Sequence, residues 1–298
     1  MNKVQFSRTK LQKSEDIGMA KIVGGLTSSH IPAVGNAITN GLQETPYWKR
    51  FFDGYGPARD WLDEVKPDIA IVVYNDHGLN FFMDTVPTFA LGCAEQYHNA
   101  DEGWGLETLA SFDGDVQFSW HLASSLIEQE FDITTCQKML VDHGFMTPMN
   151  VFWGHLPEWP VKAIPLAVNT VMHPLPSARR CLDLGHALGK AIESYPEDLK
   201  VVILGTGGMS HQLQGERAGI IDVEYDLQCM ESVINDPDWF ANQSHTEIME
   251  RAGTEGIETI MWLVMRGALT PDVKLVHKHY HAPISNTGAG VLVLENKN

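Results

Sequence analysis

Residues 68–77 read Asp-Ile-Ala-Ile-Val-Val-Tyr-Asn-Asp-His, and this stretch decides how the chain is organised. Ile69 to Tyr74 is an unbroken apolar and aromatic run rich in β-branched types, the pattern of a strand buried on both faces. Pro67 ends the helical pattern before it, because the residue ahead of a proline is driven out of the α region. The run stops at Asn75, Asp76 and His77. In open α/β sheets, ligands bind just beyond the carboxyl ends of the strands. An imidazole at that point is placed for chemistry. A turn accounts for the same triplet, since Asn and Asp side chains bond their own backbone. What separates the two readings is recurrence.

The pattern recurs on both sides. Residues 21–26 (Lys-Ile-Val-Gly-Gly-Leu) read as a strand running into Thr-Ser-Ser-His-Ile-Pro, which places His30 after a strand. Val-Asp-His-Gly at 141–144 puts His143 at a turn, and the strand at 200–204 enters Gly-Thr-Gly-Gly-Met-Ser-His, ending on His211. Residues 87–93 form another apolar run, and further strands are predicted at 131–135, 161–168 and 291–294. Pro165 points to an edge or a bulge in the second of these strands, because proline cannot donate to a ladder. Helical spacing covers 46–65 with a break near Gly54-Tyr55-Gly56-Pro57, then 115–130, 177–195 capped by Ser177, 222–234 and 254–266. No internal repeat or linker stands out. The expected architecture is a single α/β domain with a central mixed, largely parallel sheet flanked by helices and a metal site at the sheet edge. Residues 1–18 read as a tail or an upstream start, and 19–298 as the domain.

The bulk numbers narrow the function. The 298 residues, 44% hydrophobic, can bury a sizeable core, and a net charge of −17 repels nucleic acid and anionic membrane surfaces. No apolar run is long enough for a transmembrane helix, and the polar first residues lack a secretory h-region. Four scattered cysteines, Cys93, Cys136, Cys181 and Cys229, form no CxxC pair, so they read as idle thiols in a reducing cytoplasm.

The chemistry rests on histidine. Parallel strands would bring the junctions at His30, His77, His143 and His211 to one edge, and convergent neutral imidazoles are the commonest metal-ligand set. Ordinary hydrogen-bonded turns account for His98, His155, His173 and His245, and helix faces for His121 and His186. A carboxylate is wanted beside two histidines. Glu255 and Glu258 are the candidates in Gly-Thr-Glu-Gly-Ile-Glu. Glu255 fits the first turn of a helix on dipole grounds, whereas Glu258 falls in an apolar run that gives a solvated charge no place. Two histidines and one carboxylate leave open positions on a metal, which suits non-haem Fe(II) oxygenases and also catalytic zinc. The glycines at 205–208 lack a GxGxxG or Walker pattern, so they read as letting the backbone approach a ligand and as aim for His211. Ser-Asn-Thr-Gly at 285–288 offers neutral donors for a small anion, or a plain turn.

Six motifs together resemble one family: Thr-Ser-Ser-His-Ile-Pro (27–32), Tyr-Asn-Asp-His (74–77), Asp-Glu-Gly-Trp-Gly (101–105), Val-Asp-His-Gly (141–144), Gly-Thr-Gly-Gly-Met-Ser-His-Gln-Leu-Gln-Gly (205–215) and Gly-Thr-Glu-Gly-Ile-Glu (253–258). They resemble the class III (LigB-type) extradiol ring-cleaving dioxygenases, in the form of the catalytic β subunit of protocatechuate 4,5-dioxygenase. The resemblance runs from about Lys21 to the end of the chain. It implies Fe(II) held by His30, His77 and Glu258, with His211 as catalytic acid/base and His143 in the second sphere. It further implies substrate contacts from Asn75, Ser285, Asn286 and Ile31. The implied reaction is cleavage of protocatechuate by O2 to 4-carboxy-2-hydroxymuconate semialdehyde, with gallate or another catechol carboxylate as the alternative substrate. The implied partner is a small α subunit covering the site as a lid in an α2β2 assembly, because no α-like segment is fused here. A zinc hydrolase on the same ligands and a non-enzymatic assembly subunit are the rivals.

Overall fold

The computed structural model describes residues 18–103, 105, 108–154 and 156–297. The tail before residue 18, Trp104 of the Asp-Glu-Gly-Trp-Gly motif and His155 lie outside the described residues. The strands are β1 (Lys21–Ser28), β2 (Ile69–Tyr74), β3 (Phe89–Gly92), β4 (Gln96–Asn99), β5 (Phe112–Asp113), β6 (Thr134–Cys136), β7 (Leu140–Val141), β8 (Lys162–Val168), β9 (Lys200–Thr206), β10 (Val273–Ile284) and β11 (Thr287–Asn296). The helices are α1 (Pro32–Thr39), α2 (Lys49–Asp53), α3 (Gly56–Val65), α4 (Val116–Glu128), α5 (His143–Trp153), α6 (Ala178–Glu193), α7 (Val223–Asn235), α8 (Pro237–Ala241), α9 (His245–Ala252) and α10 (Met261–Ala268). A 3-10 segment, Glu255–Ile260, leads directly into α10.

Every residue of β2 is buried, and the reason is its place in the order β10-β11-β1-β9-β2-β8-β3-β6. Its side chains alternate between two cores. Ile69, Ile71 and Val73 join a cluster with residues of α4, α6, α7 and α10, while Ala70, Val72 and Tyr74 join one with residues of α1, α2, α3 and α5. A strand covered on both faces has no solvent side, hence the continuous apolar run. The pairs β1/β9, β9/β2 and β2/β8 are parallel, so the carboxyl ends of β1, β2, β8 and β9 share one edge of the sheet. The pairs β1/β11, β10/β11 and β3/β8 are antiparallel, which makes the sheet mixed as expected.

Several expectations are corrected. β8 is an interior strand, paired with β2 along its length, although Pro165 suggested an edge. The β3 ladder covers only Leu166, Ala167 and Val168, so the proline lies just beyond it. The strand expected at 131–135 begins at Thr134, because Phe131 still belongs to the end of α4: its N–H bonds Leu126 O and Glu130 turns left-handed at φ 66°. His143 sits at no plain turn and follows no main-sheet strand. It opens α5, next to β7 of a separate three-stranded sheet, and Asp142 caps that helix by accepting from Gly144 N at 2.9 Å. No helix among the described residues is long and apolar enough to cross a membrane.

Candidate metal centre and its cavity

Parallel pairing of β1 with β9 sets Ser28 opposite Thr206 at the two strand ends. His30 emerges two residues later, and its Nδ1 lies 2.9 Å from Thr206 Oγ1. Its Nε2 is 3.2 Å from Glu258 Oε2, yet it is buried with no hydrogen-bond partner among the described residues. His77, just beyond β2, is fixed by Asp142. Asp142 Oδ2 accepts from His77 N at 2.8 Å and lies 3.0 Å from its Nδ1. That leaves His77 Nε2 facing inward, 3.2 Å from Asn75 Nδ2 and 3.9 Å from Glu258 Oε1. One atom each from His30, His77 and Glu258 falls within 4.8 Å of the others.

Glu258 reaches this point because glycines let its segment approach. A Cβ on Gly207, which holds φ at +117°, would lie 2.9 Å from both Cβ and O of Glu258. A Cβ on Gly205 would lie 2.9 Å from Trp262 Cα. These glycines therefore admit protein backbone, where close approach to a ligand was expected. Gly208 N donates to Glu258 Oε2 at 3.2 Å, and Asn75 Nδ2 donates to Oε1 at 3.3 Å. In a 3-10 segment residues i and i+3 eclipse, so Glu255 and Glu258 point to the same side. Only Glu258 is buried (7% exposed); Glu255 Oε2 accepts instead from Leu213 N and Thr254 Oγ1 near the surface.

The charges are strongly coupled. Burial works against ionisation of Glu258, but His30 and His77 hold its carboxyl well below the usual range. Burial likewise opposes charge on Asp142, and the bonded His77 imidazole overrides it, bringing Asp142 to about 2. His77 is raised to about 10: its burial is outweighed by Asp142 and then Glu258. Burial and the neighbouring His77 push His143 down, against the pull of Glu102. A centre with this much carboxylate around two imidazoles calls for a cation.

The donors fit one. Each imidazole commits Nδ1 to an outer partner and turns Nε2 toward the centre, as metal-ligating histidines do. The buried Nε2 of His30 has no other use, and a two-nitrogen, one-carboxylate set matches Fe(II) or zinc. His77, Asp142 and His143 also fall within 4.8 Å of one another. There, however, Asp142 is spent on His77 and on capping α5. His143 packs its ring 4.0 Å from that of His77, and Glu102 grips it twice, accepting from the backbone N at 2.7 Å and lying 2.8 Å from Nδ1.

The centre opens into a cavity of about 670 Å³. His30, His77, His143 and Glu258 reach it, and Ile31, His211 and Ser285 form part of its wall. His211 Nδ1 is buried without a hydrogen-bond partner among the described residues. Ser285 and Asn286 form the two-residue turn between β10 and β11, both with positive φ, at 50° and 62°. Asn286 is not on the cavity wall, and Asn75 lies fully buried beside the centre, its Nδ2 3.2 Å from His77 Nε2 and 3.3 Å from Glu258 Oε1. His173, read from sequence as an ordinary turn residue, does line the cavity. His98, His121 and His245 bond Ser111, Ala191 and Pro176 respectively, as befits structural histidines. Sequence reasoning missed the partners Thr206, Asp142 and Glu102.

The fold has a solved counterpart in an uncharacterized protein from Escherichia coli K12. It matches with TM-score 0.56 at 11% identity, covering 92% of this chain and 100% of that one. An α/β chain with two histidines and a buried glutamate converging at the strand ends defines a candidate metalloenzyme. The sequence places it more narrowly: residues 24–292 match the family described as the catalytic LigB subunit of aromatic ring-opening dioxygenase, and the chain belongs to that family. Gallate dioxygenase of Pseudomonas putida is 43% identical over 198 residues, 66% of this chain. The chain spans 58% of that relative's length. A 2,3-dihydroxyphenylpropionate/2,3-dihydroxicinnamic acid 1,2-dioxygenase of Comamonas testosteroni is 25% identical over 287 residues, covering 80% of this chain and 87% of that protein.

Proposed function

We propose that the chain carries the catalytic site of an Fe(II)-dependent extradiol dioxygenase that opens a catechol carboxylate of the gallate type. The observation carrying this reading is the convergence of one donor atom each from His30, His77 and Glu258 within 4.8 Å, on residues that line the cavity. The similarity to gallate dioxygenase favours gallate over protocatechuate, the substrate expected from the motifs alone. Ferrous iron would supply the redox path that slow, spin-forbidden O2 chemistry needs and would acidify the substrate hydroxyls.

The chain's residues do the rest. His30, His77 and Glu258 hold the ion, and Thr206 and Asp142 orient the two imidazoles. Asn75, beside His77, steadies Glu258. His211, whose Nδ1 has no partner among the described residues, takes a proton from a catechol hydroxyl and returns it as the ring opens. His143, kept uncharged by burial, offers a neutral polar face beside His77. Ile31 gives apolar contact to the ring, and Ser285 addresses the carboxylate. Asn286 shapes the turn beneath. A small partner subunit acting as a lid, as in an α2β2 assembly, would cover the exposed apolar rim at Leu213 and Val171.

Anaerobic mixing with gallate or protocatechuate, followed by O2, tests the reading. One O2 should be consumed per ring opened, with gallate giving the higher kcat/KM. A reversed preference would restore protocatechuate, and no uptake with either would remove the assignment. Asp142→Ala is expected to weaken metal affinity about 10- to 100-fold, the usual effect of losing an outer partner of a ligating histidine. Metal titration checks it; an unchanged constant would strip Asp142 of that role.

Ser285 yields a prediction with two signs. A non-glycine residue in the left-handed region costs about 1–2 kcal/mol. Ser285→Gly should therefore raise the melting midpoint while lowering the preference for gallate over pyrogallol, which lacks the carboxylate. A preserved preference would mean that the hydroxyl does not address the carboxylate.

A further inference from the structure

Asp226 on α7 is 1% exposed and has no ion-pair partner among the described residues. Burying an unpaired carboxylate is costly unless its oxygens are fully engaged. They are: Oδ1 accepts from Ser210 N at 2.9 Å and from Ser210 Oγ at 2.7 Å, and Oδ2 accepts from Tyr280 OH at 2.6 Å. Ser210 Oγ in turn accepts from Asp222 N at 3.0 Å. The next residue is His211.

The other bonds on this stretch lead the same way. Met209 N donates to Gly288 O at 3.0 Å, and Gly288 N donates to Ser210 O at 2.8 Å. A Cβ on Gly288 would stand 2.2 Å from Asp226 Oδ2, so glycine there leaves the carboxylate its place against the hairpin. On the far side His211 N donates to Ala252 O at 2.6 Å, and His211 O accepts from Glu255 N and Gly256 N, both at 3.2 Å. His30, His77 and His143 each have a side-chain partner on Nδ1. The Nδ1 of His211 has none among the described residues. Its aim therefore depends on the backbone that carries it.

We propose that Asp226 is a positioning residue for His211. Through Ser210 it holds the backbone bearing the imidazole, and through Tyr280 and Gly288 it ties that backbone to the hairpin whose turn carries Ser285. The proton carrier and the group facing the substrate's far end thus share one buried anchor. The kinetic consequence rests on the function proposed above; the geometric one does not.

The test compares Asp226→Asn, Tyr280→Phe and His211→Gln in the full-length protein. Asparagine keeps the shape and one acceptor. Asp226→Asn should keep metal content and anaerobic gallate affinity within about twofold of wild type. Its kcat should fall about tenfold or more, with a displaced pH profile. Tyr280→Phe should follow in the same direction with a smaller loss. Wild-type kcat, or a loss that merely tracks metal content or folded fraction, overturns the proposal.

A second readout needs no activity. With 15N-labelled histidine, the His211 ring resonance, assigned by its absence in His211→Gln, should move or broaden in Asp226→Asn while those of His98 and His245 stay put. An unmoved resonance overturns the proposal. If His211→Gln itself cleaves gallate at the wild-type rate, the functional reading has failed, and the resonance still decides whether Asp226 positions the ring. Should Asp226→Asn not fold, Tyr280→Phe and Ser210→Ala, each losing part of the same network, carry both comparisons.

Discussion

Glu258→Ala is expected to leave a folded chain that retains almost no metal, with affinity down by more than about 100-fold, since even outer-partner losses cost 10- to 100-fold. Ring cleavage should vanish with the metal. Glu255→Ala, three residues away on the same side of the 3-10 segment, should keep a full complement. The contrast follows from position. Glu258 is buried, 3.2 Å from His30 Nε2, and held by Gly208 and Asn75. Glu255 spends one oxygen on Leu213 and Thr254 near the surface. Metal analysis after anaerobic purification decides it, and retention by Glu258→Ala with loss in Glu255→Ala would reverse the assignment.

His211→Ala should show the opposite split. Metal content and catechol binding should persist, while turnover drops about 100- to 10,000-fold, the range that a positioned acid/base contributes. His211 lines the cavity but does not belong to the group within 4.8 Å that could hold an ion. Metal loss on its removal would make it a ligand. Unchanged turnover would leave the proton transfer to another group, with His173 on the same wall as the first to examine.

How far the sequence can be read depends on what kind of signal each element leaves. β2 was legible because burial on both faces demands the unbroken Ile69–Tyr74 run. β10 left no such trace: residues 277–282, with three histidines, are half-buried on both faces, so no apolar alternation marks the strand. α5 was hidden by His143-Gly144 at its start and Pro148 within it, residues that argue for turns. The local position of His30 and His77 at strand ends could be read from the chain. Their partners could not, because Thr206 meets His30 only through the β1/β9 register and Asp142 meets His77 across a different sheet. Pro165 misled for a related reason: whether a missing N–H matters depends on where the neighbouring ladder stops.

The three inward-facing donors come from two neighbouring regions of the sheet edge and from the segment that lies over it, far apart along the chain. An ion gripping all three would act as a rivet between the sheet and its cover. Loss of the ion would then loosen more than the reaction centre: protease should cut sooner between α9 and α10, and the heat-denaturation curve should slide with the amount of free metal in the buffer.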